Sequence, residues 1–143
     1  MKWAISITVC VCLISSALIL VRSRHASQTP VPAAAVSPEE VIKMQRMASS
    51  GSLTIRFAQT MTSKSLTASA EDAARLIPTF YEAKNWKQVP VAATAPFILI
   101  TVSPRDDQFL MDAHYVYPIN SLSLAIALDA NPVLQRMATE LRE

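Results

Sequence analysis

Few side chains in this chain could carry out acid–base or metal chemistry, and they do not form a known motif. The 143 residues include two histidines, His25 and His114, and two cysteines, Cys10 and Cys12. Asp112 lies two residues before His114. If both belong to one strand, they share a face about 7 Å apart and could share a hydrogen bond or a water molecule. Such a pair could begin a metal site or serve in acid–base catalysis.

The other components of common catalytic sites are missing from the sequence. Gly51 is the only glycine, so the chain has no glycine-rich phosphate loop and no glycine-flanked nucleophile. Both cysteines lie in an N-terminal apolar run, which leaves the remainder without a disulfide, a Cys-based zinc site or a cysteine nucleophile. Asp106 and Asp107 fall in a predicted turn, where aspartate is favoured because it caps the backbone. We therefore predict no catalytic residue, no metal and no cofactor, and a protein that is not an enzyme.

Aromatic residues are the candidates for contact with another protein. Phe80, Tyr81 and Trp86 lie close together in the sequence, and Tyr115 and Tyr117 follow later. Rings at helical spacing usually belong to the core, but Trp and Tyr are also enriched where proteins bind one another. Both interpretations stay open, and these five residues are the candidate partner-binding residues.

The N-terminus carries a membrane-directed segment. Residues 3–21 contain no charged side chain. A helix of that length spans roughly 28 Å, close to the ~30 Å of a hydrocarbon core. Small residues up to Ala17 would also allow cleavage as a signal peptide, but Leu18–Val21 continue the apolar run as an anchor would. We predict a retained single-pass helix in the lipid bilayer, with secretion after cleavage near Ala17 as the alternative.

The very short N-terminal overhang indicates the orientation. Lys2 and the amino terminus precede the segment, and Arg22 and Arg24 follow it, so the positive-inside rule gives no preference. An overhang this short before a long apolar run is typical of export signals. Residues 22–143 also contain no cysteine. We predict localisation in the inner (plasma) membrane, with the C-terminal domain outside the cytoplasm on the periplasmic side.

Composition divides the chain into three parts. Residues 1–24 form the membrane anchor (or signal peptide), residues 25–36 a Pro/Ala/Ser spacer, and residues 37–143 an extracytoplasmic domain. This domain contains ten Lys and Arg and eleven Asp and Glu, so the chain's net charge of +2 comes from the membrane flanks. Without a basic stripe or interleaved aromatic residues, we predict no binding to nucleic acid.

Capping residues and apolar periodicity predict three helices in the domain. Ser37–Glu40 has the residues of a capping box, and Gly51 can end the helix that begins there. A second helix begins at Ser69, and Pro78 implies either a kink or two short helices. Asn131 begins the last helix, whose apolar stripe consists of Val133, Leu134, Met137, Ala138 and Leu141.

Alternating and continuous apolar runs predict about four strands. Residues 53–61 alternate, whereas residues 96–102 form a continuous apolar run, which is typical of a strand buried on both faces. A turn at 103–107 leads into a strand over 108–117, and residues 121–129 alternate again, although their Leu and Ala content also fits a helix. Short connections favour antiparallel pairing. The predicted fold class is α+β, with an N-terminal transmembrane helix, an antiparallel sheet of about four strands and three helices.

Together these features predict a single-pass membrane-anchored accessory protein. Its outer domain would bind a protein partner in a cell-envelope assembly, such as a secretion, conjugation or sensor complex. The alternative is an extracytoplasmic ligand-binding or hydrolytic domain that uses Asp112 and His114.

Reporter fusions after Glu143 test the predicted topology. Because residues 3–21 are expected to cross the bilayer once, a phosphatase that works only outside the cytoplasm should be active at this position. A reporter that works only in the cytoplasm should be silent. The opposite pattern would reverse the orientation, and a soluble mature chain beginning at Leu18 would indicate a cleaved signal.

Overall fold

The computed structural model describes residues 36–90 and 97–143. This part of the chain forms three α-helices, seven strands and two short 3-10 helices. The α-helices are α1 (Pro38–Ser49), α2 (Ala70–Tyr81) and α3 (Pro132–Arg142). The strands are β1 (Thr54–Gln59), β2 (Ser65–Thr67), β3 (Lys87–Gln88), β4 (Ile98–Ser103), β5 (Asp107–Met111), β6 (Tyr115–Pro118) and β7 (Leu124–Ala127). The 3-10 helices are Ala83–Asn85 and Leu128–Ala130.

All seven strands belong to one antiparallel sheet with the order β2-β1-β4-β5-β6-β7-β3. The predicted α+β class and the three predicted helices are confirmed. The predicted number of about four strands is wrong for two reasons. β2 and β3, with three and two residues, are too short to show an alternating pattern. The single strand predicted over 108–117 is two strands, β5 and β6, separated by a turn at residues 112–114.

Side-chain caps begin each helix where the sequence predicts. The Ser37 hydroxyl accepts a hydrogen bond from the Glu40 backbone N–H at 3.3 Å. Ser69 accepts one from the Asp72 N–H at 3.2 Å, and the Asn131 side chain accepts one from the Val133 N–H at 2.9 Å. Each bond satisfies a backbone donor that the first turn of a helix leaves without a partner.

Pro78 lies inside α2, which continues through it as one helix. Because proline has no N–H, the carbonyl of Ala74, four residues earlier, lacks its usual helical donor. The Gln45 side chain of α1 donates to this carbonyl at 3.3 Å. The Pro78 carbonyl in turn accepts from the Asn85 side chain at 2.9 Å. Neighbouring side chains therefore supply hydrogen bonds around the proline, and the segment forms one helix, not two.

The core lies between the helices and one face of the sheet. Alternate strand residues point into it, including Ile55 and Phe57 of β1 and Ile100 of β4, all fully buried. The five residues of the predicted α3 stripe are also buried. The strand predicted within 121–129 is confirmed as β7, and the helical alternative is not observed.

Two residues in the left-handed region allow tight turns. Gly51, which follows α1, has φ +77°, as its predicted role requires. The turn between β4 and β5 has no glycine, and Asp106 there adopts φ 59°. Aspartate tolerates this region better than most residues, because its short side chain can bond to the local backbone.

No helix within residues 36–90 and 97–143 is long and apolar enough to cross a bilayer. The predicted membrane segment at residues 3–21 lies outside the described residues, as does the predicted spacer apart from Val36.

A double-mutant cycle tests the hydrogen bond from Gln45 to Ala74. In the wild-type background, Gln45→Ala should lower the free energy of unfolding by about 0.5–1.5 kcal/mol, because it leaves a carbonyl without a donor. In a Pro78→Ala background the residue at 78 supplies its own N–H, so Gln45→Ala should cost less. Urea unfolding of the four proteins measures the coupling. Equal costs in both backgrounds would contradict this role of Gln45.

Candidate functional site

Three of the five candidate partner-binding residues pack inside the domain around Phe109. The rings of Phe80 and Trp86 stack on it, with centroid distances of 4.9 and 5.8 Å, and Tyr81 meets it edge-on at 6.2 Å. The Trp86 indole N–H donates to the Phe80 carbonyl at 3.0 Å. Phe80 and Tyr81 are fully buried, and Trp86 is 8% exposed. These rings form the aromatic part of the core.

A chain of polar contacts extends from the edge of this aromatic cluster. The Tyr81 hydroxyl donates to Asp107 Oδ2 at 2.5 Å, and Arg105 Nε donates to the same oxygen at 2.9 Å. Arg105 Nη1 also pairs with Glu40 Oε1 at 2.6 Å. Burial, and then the Asp107 carboxylate, raise the pKa of Tyr81 well above its usual range. The contacts join α1, α2 and the β4–β5 turn, so they stabilise the packing of these elements.

Asp112 organises the turn between β5 and β6. Its Oδ1 accepts hydrogen bonds from the backbone N–H groups of His114 and Tyr115, both at 2.7 Å, and its Oδ2 accepts one from the Tyr117 hydroxyl at 3.0 Å. Asp112 is only 1% exposed. Burial is the main cause that raises the pKa of Tyr117, followed by its bond to Asp112. The Asp112 carboxylate therefore stabilises the backbone of the turn through these hydrogen bonds.

The expected Asp112–His114 pair on one strand face is wrong. The strand ends at Met111, and the two residues lie in the turn. The carboxylate is buried, whereas His114 is exposed. The contact between them runs from the His114 backbone N–H, so it neither orients the imidazole nor brings it to the carboxylate for proton transfer.

The face of the sheet opposite the helices carries a mixed surface. Leu99 of β4 pairs with Leu110 of β5, and Thr101 pairs with Gln108 in the next row. Both leucines and Thr101 are half-buried, and Gln108 is exposed. These four side chains are called the β4–β5 patch below. The prediction that β4 is buried on both faces is wrong, because only alternate residues of the strand are fully buried.

The two remaining candidate residues lie on β6. Tyr117 is 1% exposed and bonded to Asp112, so most of its surface is used within the domain. Tyr115 is half-buried, with its ring 6.1 Å from that of Tyr117 and 6.4 Å from that of His114. Of the five candidates, Tyr115 presents the most accessible ring.

Tyr115 and His114 also line a pocket of about 550 Å³. The other walls come from the end of β7, the 3-10 helix after it and the outer side of α3, with Asp129 and Arg142 among the lining residues. No sequence pattern predicts this pocket, because its walls come from segments that are separated along the chain and share no motif.

In the described ranges 36–90 and 97–143, no three His, Cys, Asp or Glu side chains come together in an arrangement that could hold a metal ion. Comparison of the chain with protein-family models, with curated proteins and with solved structures found no match.

Paired substitutions distinguish the role of Asp112 from that of His114. Asp112→Ala should lower the free energy of unfolding by about 1.5–3 kcal/mol, because it removes a charged acceptor from two partly buried backbone donors and from the Tyr117 hydroxyl. His114→Ala should change it by less than about 0.5 kcal/mol, since the ring is exposed. Chemical denaturation followed by circular dichroism measures both. Similar effects of the two changes would contradict the assignment.

Proposed function

We propose that this chain is a single-pass, membrane-anchored accessory protein whose outer domain binds a protein partner in a cell-envelope assembly. The observation that carries the proposal is the β4–β5 patch at the centre of the sheet. The apolar segment at residues 3–21 supports the membrane attachment, and the near-equal numbers of acidic and basic residues in 37–143 support a partner recognised mainly by shape and apolar contact.

The composition of β4 fits a strand that becomes covered on its second face by another molecule. Residues 98–102, with the sequence Ile-Leu-Ile-Thr-Val, are as apolar as strands that are buried on both sides. Within the domain, the helices bury only Ile98, Ile100 and Val102 completely. Leu99 and its neighbour Leu110 keep accessible surface on the other side, and covering them would remove this surface from water.

The neighbouring polar row favours a protein over lipid as the partner. Thr101 and Gln108 pair across β4 and β5 beside the two leucines, and Arg56 of β1 pairs with Thr101. Apolar side chains next to hydrogen-bonding ones are typical of the surfaces by which folded proteins bind each other reversibly. The hydrocarbon part of a membrane offers no partners to such polar groups.

The spacer sets the distance at which the partner is bound. Residues 25–36 number twelve, and a chain of that length reaches at most roughly 40 Å when extended. A domain held on such a spacer remains close to the bilayer, so the partner is expected to be a membrane protein or a protein of the adjacent envelope space.

Two single substitutions to lysine, one in the β4–β5 patch and one on α1, test the proposal in native membranes. Leu110→Lys places a charge in the β4–β5 patch, where burying it against a partner would be costly. It should release the chain from a detergent-solubilised complex, as seen by native gel electrophoresis. Ile42→Lys is the matched control, because Ile42 is 50% exposed on α1 and lies away from the sheet. This variant should remain in the complex.

Circular dichroism melting of both variants shows whether the domain is still folded. A wild-type chain that migrates alone, or two folded variants that both remain in the complex, would contradict the proposal. A complex whose mass is a simple multiple of 15.6 kDa would identify a second copy as the occupant and overturn the proposal of a different partner.

A further inference from the structure

The pocket beside His114 has the dimensions of a binding site for a small molecule. Its volume of about 550 Å³ falls within the range of pockets that hold small ligands. Three alanines, Ala113, Ala127 and Ala138, line it from three different elements. Since alanine ends at Cβ, these positions leave the hollow open, and Leu128 adds apolar surface to its wall.

Hydrogen bonds hold the walls of this pocket in place. The Leu128 backbone N–H donates to the His114 carbonyl at 2.9 Å, which joins the β5–β6 turn to the 3-10 helix. Asp112 fixes the same turn through the N–H groups of His114 and Tyr115. On the opposite wall, the Thr139 hydroxyl donates to the Gln135 carbonyl at 2.9 Å within α3. The pocket is thus formed before any ligand arrives.

Opposite charges lie towards the two ends of the pocket. Asp129 is in the 3-10 helix that precedes α3, whereas Arg142 is the last residue of α3. The Arg142 guanidinium lies 5.0 Å from the centre of the Phe97 ring, and this contact holds the cation at its end.

We infer that this pocket binds a short peptide with free termini. The ligand's ammonium group pairs with Asp129, its carboxylate pairs with Arg142, and its side chain packs against Leu128 and the alanines. A free amino acid carries both charges on one carbon, whereas a short peptide carries them farther apart and can contact two residues from different elements of the wall. A simple anion would meet the Asp129 carboxylate, and a simple cation would meet Arg142, so the pair of charges selects a ligand that carries both. The site is separate from the β4–β5 patch and goes beyond the partner binding proposed above.

Calorimetric titration of the full chain in detergent with L-alanyl-L-leucine tests this inference. Binding should be saturable below about 10 mM. N-acetylation of the probe removes its ammonium group, and amidation removes its carboxylate. Each change should weaken binding by about tenfold or more, because a charge-assisted hydrogen bond is lost.

Variants assign each end of the peptide to its residue. Arg142→Gln should abolish the preference for the free carboxylate over the amide and keep the preference for the free amine. Asp129→Asn should do the reverse. Arg46→Gln, the same change as at 142 but on the exposed side of α1, should bind like the wild type.

Absence of saturable binding, or equal binding of the free and blocked peptides, would overturn the inference. Leu110→Lys separates it from the proposed function, because this variant should lose the protein complex and keep its affinity for the peptide. Loss of peptide binding in folded Leu110→Lys would contradict a separate site.

Discussion

The arrangement of the domain depends on the packing of aromatic rings around Phe109. This residue of β5 contacts Phe80 and Tyr81 from the last turn of α2, and Trp86 from the segment that leads into β3. Such ring pairs contribute about 0.5–1.5 kcal/mol each beyond the area they bury. One phenylalanine of the sheet therefore fixes where α2 ends and where the chain returns to form β3. From this cluster, the Tyr81 hydroxyl donates a hydrogen bond to Asp107, which also accepts one from Arg105.

Because these contacts lie on one face of the sheet, they determine which surfaces of the domain stay accessible. The helices and the aromatic cluster all use the same side of the sheet, so Leu99 and Leu110 on the other side keep part of their surface accessible. The pocket beside His114 follows from a different constraint. There the buried Asp112 carboxylate fixes the β5–β6 turn, and the small side chains of three alanines fill little of the space beside it. The two surfaces therefore have different physical origins.

Local signals in the sequence predicted the helices better than the strands. Ser37, Ser69 and Asn131 each act through a backbone group two or three residues ahead, so a short stretch of sequence contains the whole interaction. The break at Asp112 depends on burial of a carboxylate by the folded sheet, and no local pattern encodes it. β2 and β3 are too short to show a local pattern, and they form by pairing with β1 and β7.

The candidate site was less predictable for the same reason. The sequence shows Phe80, Tyr81 and Trp86 as near neighbours, but whether such rings face the core or a partner depends on the opposite layer, here Phe109. Asp129 and Arg142 belong to one pocket because α3 folds back beside the end of β7. The hydrogen bond that Gln45 gives to Ala74 is equally non-local, since it joins two helices that are 29 residues apart at this contact.

The lengths of the outermost strands affect how copies of this chain behave when crowded together. β2 has three residues and β3 has two, so each rim of the sheet offers few backbone groups to an incoming strand. Lys87 and Gln88 of β3 are also exposed and polar. Very short edge strands disfavour the joining of sheets from different molecules, and at β3 the charge of Lys87 adds to this effect. Copies of the domain at high local concentration therefore have little tendency to polymerise through their outermost strands.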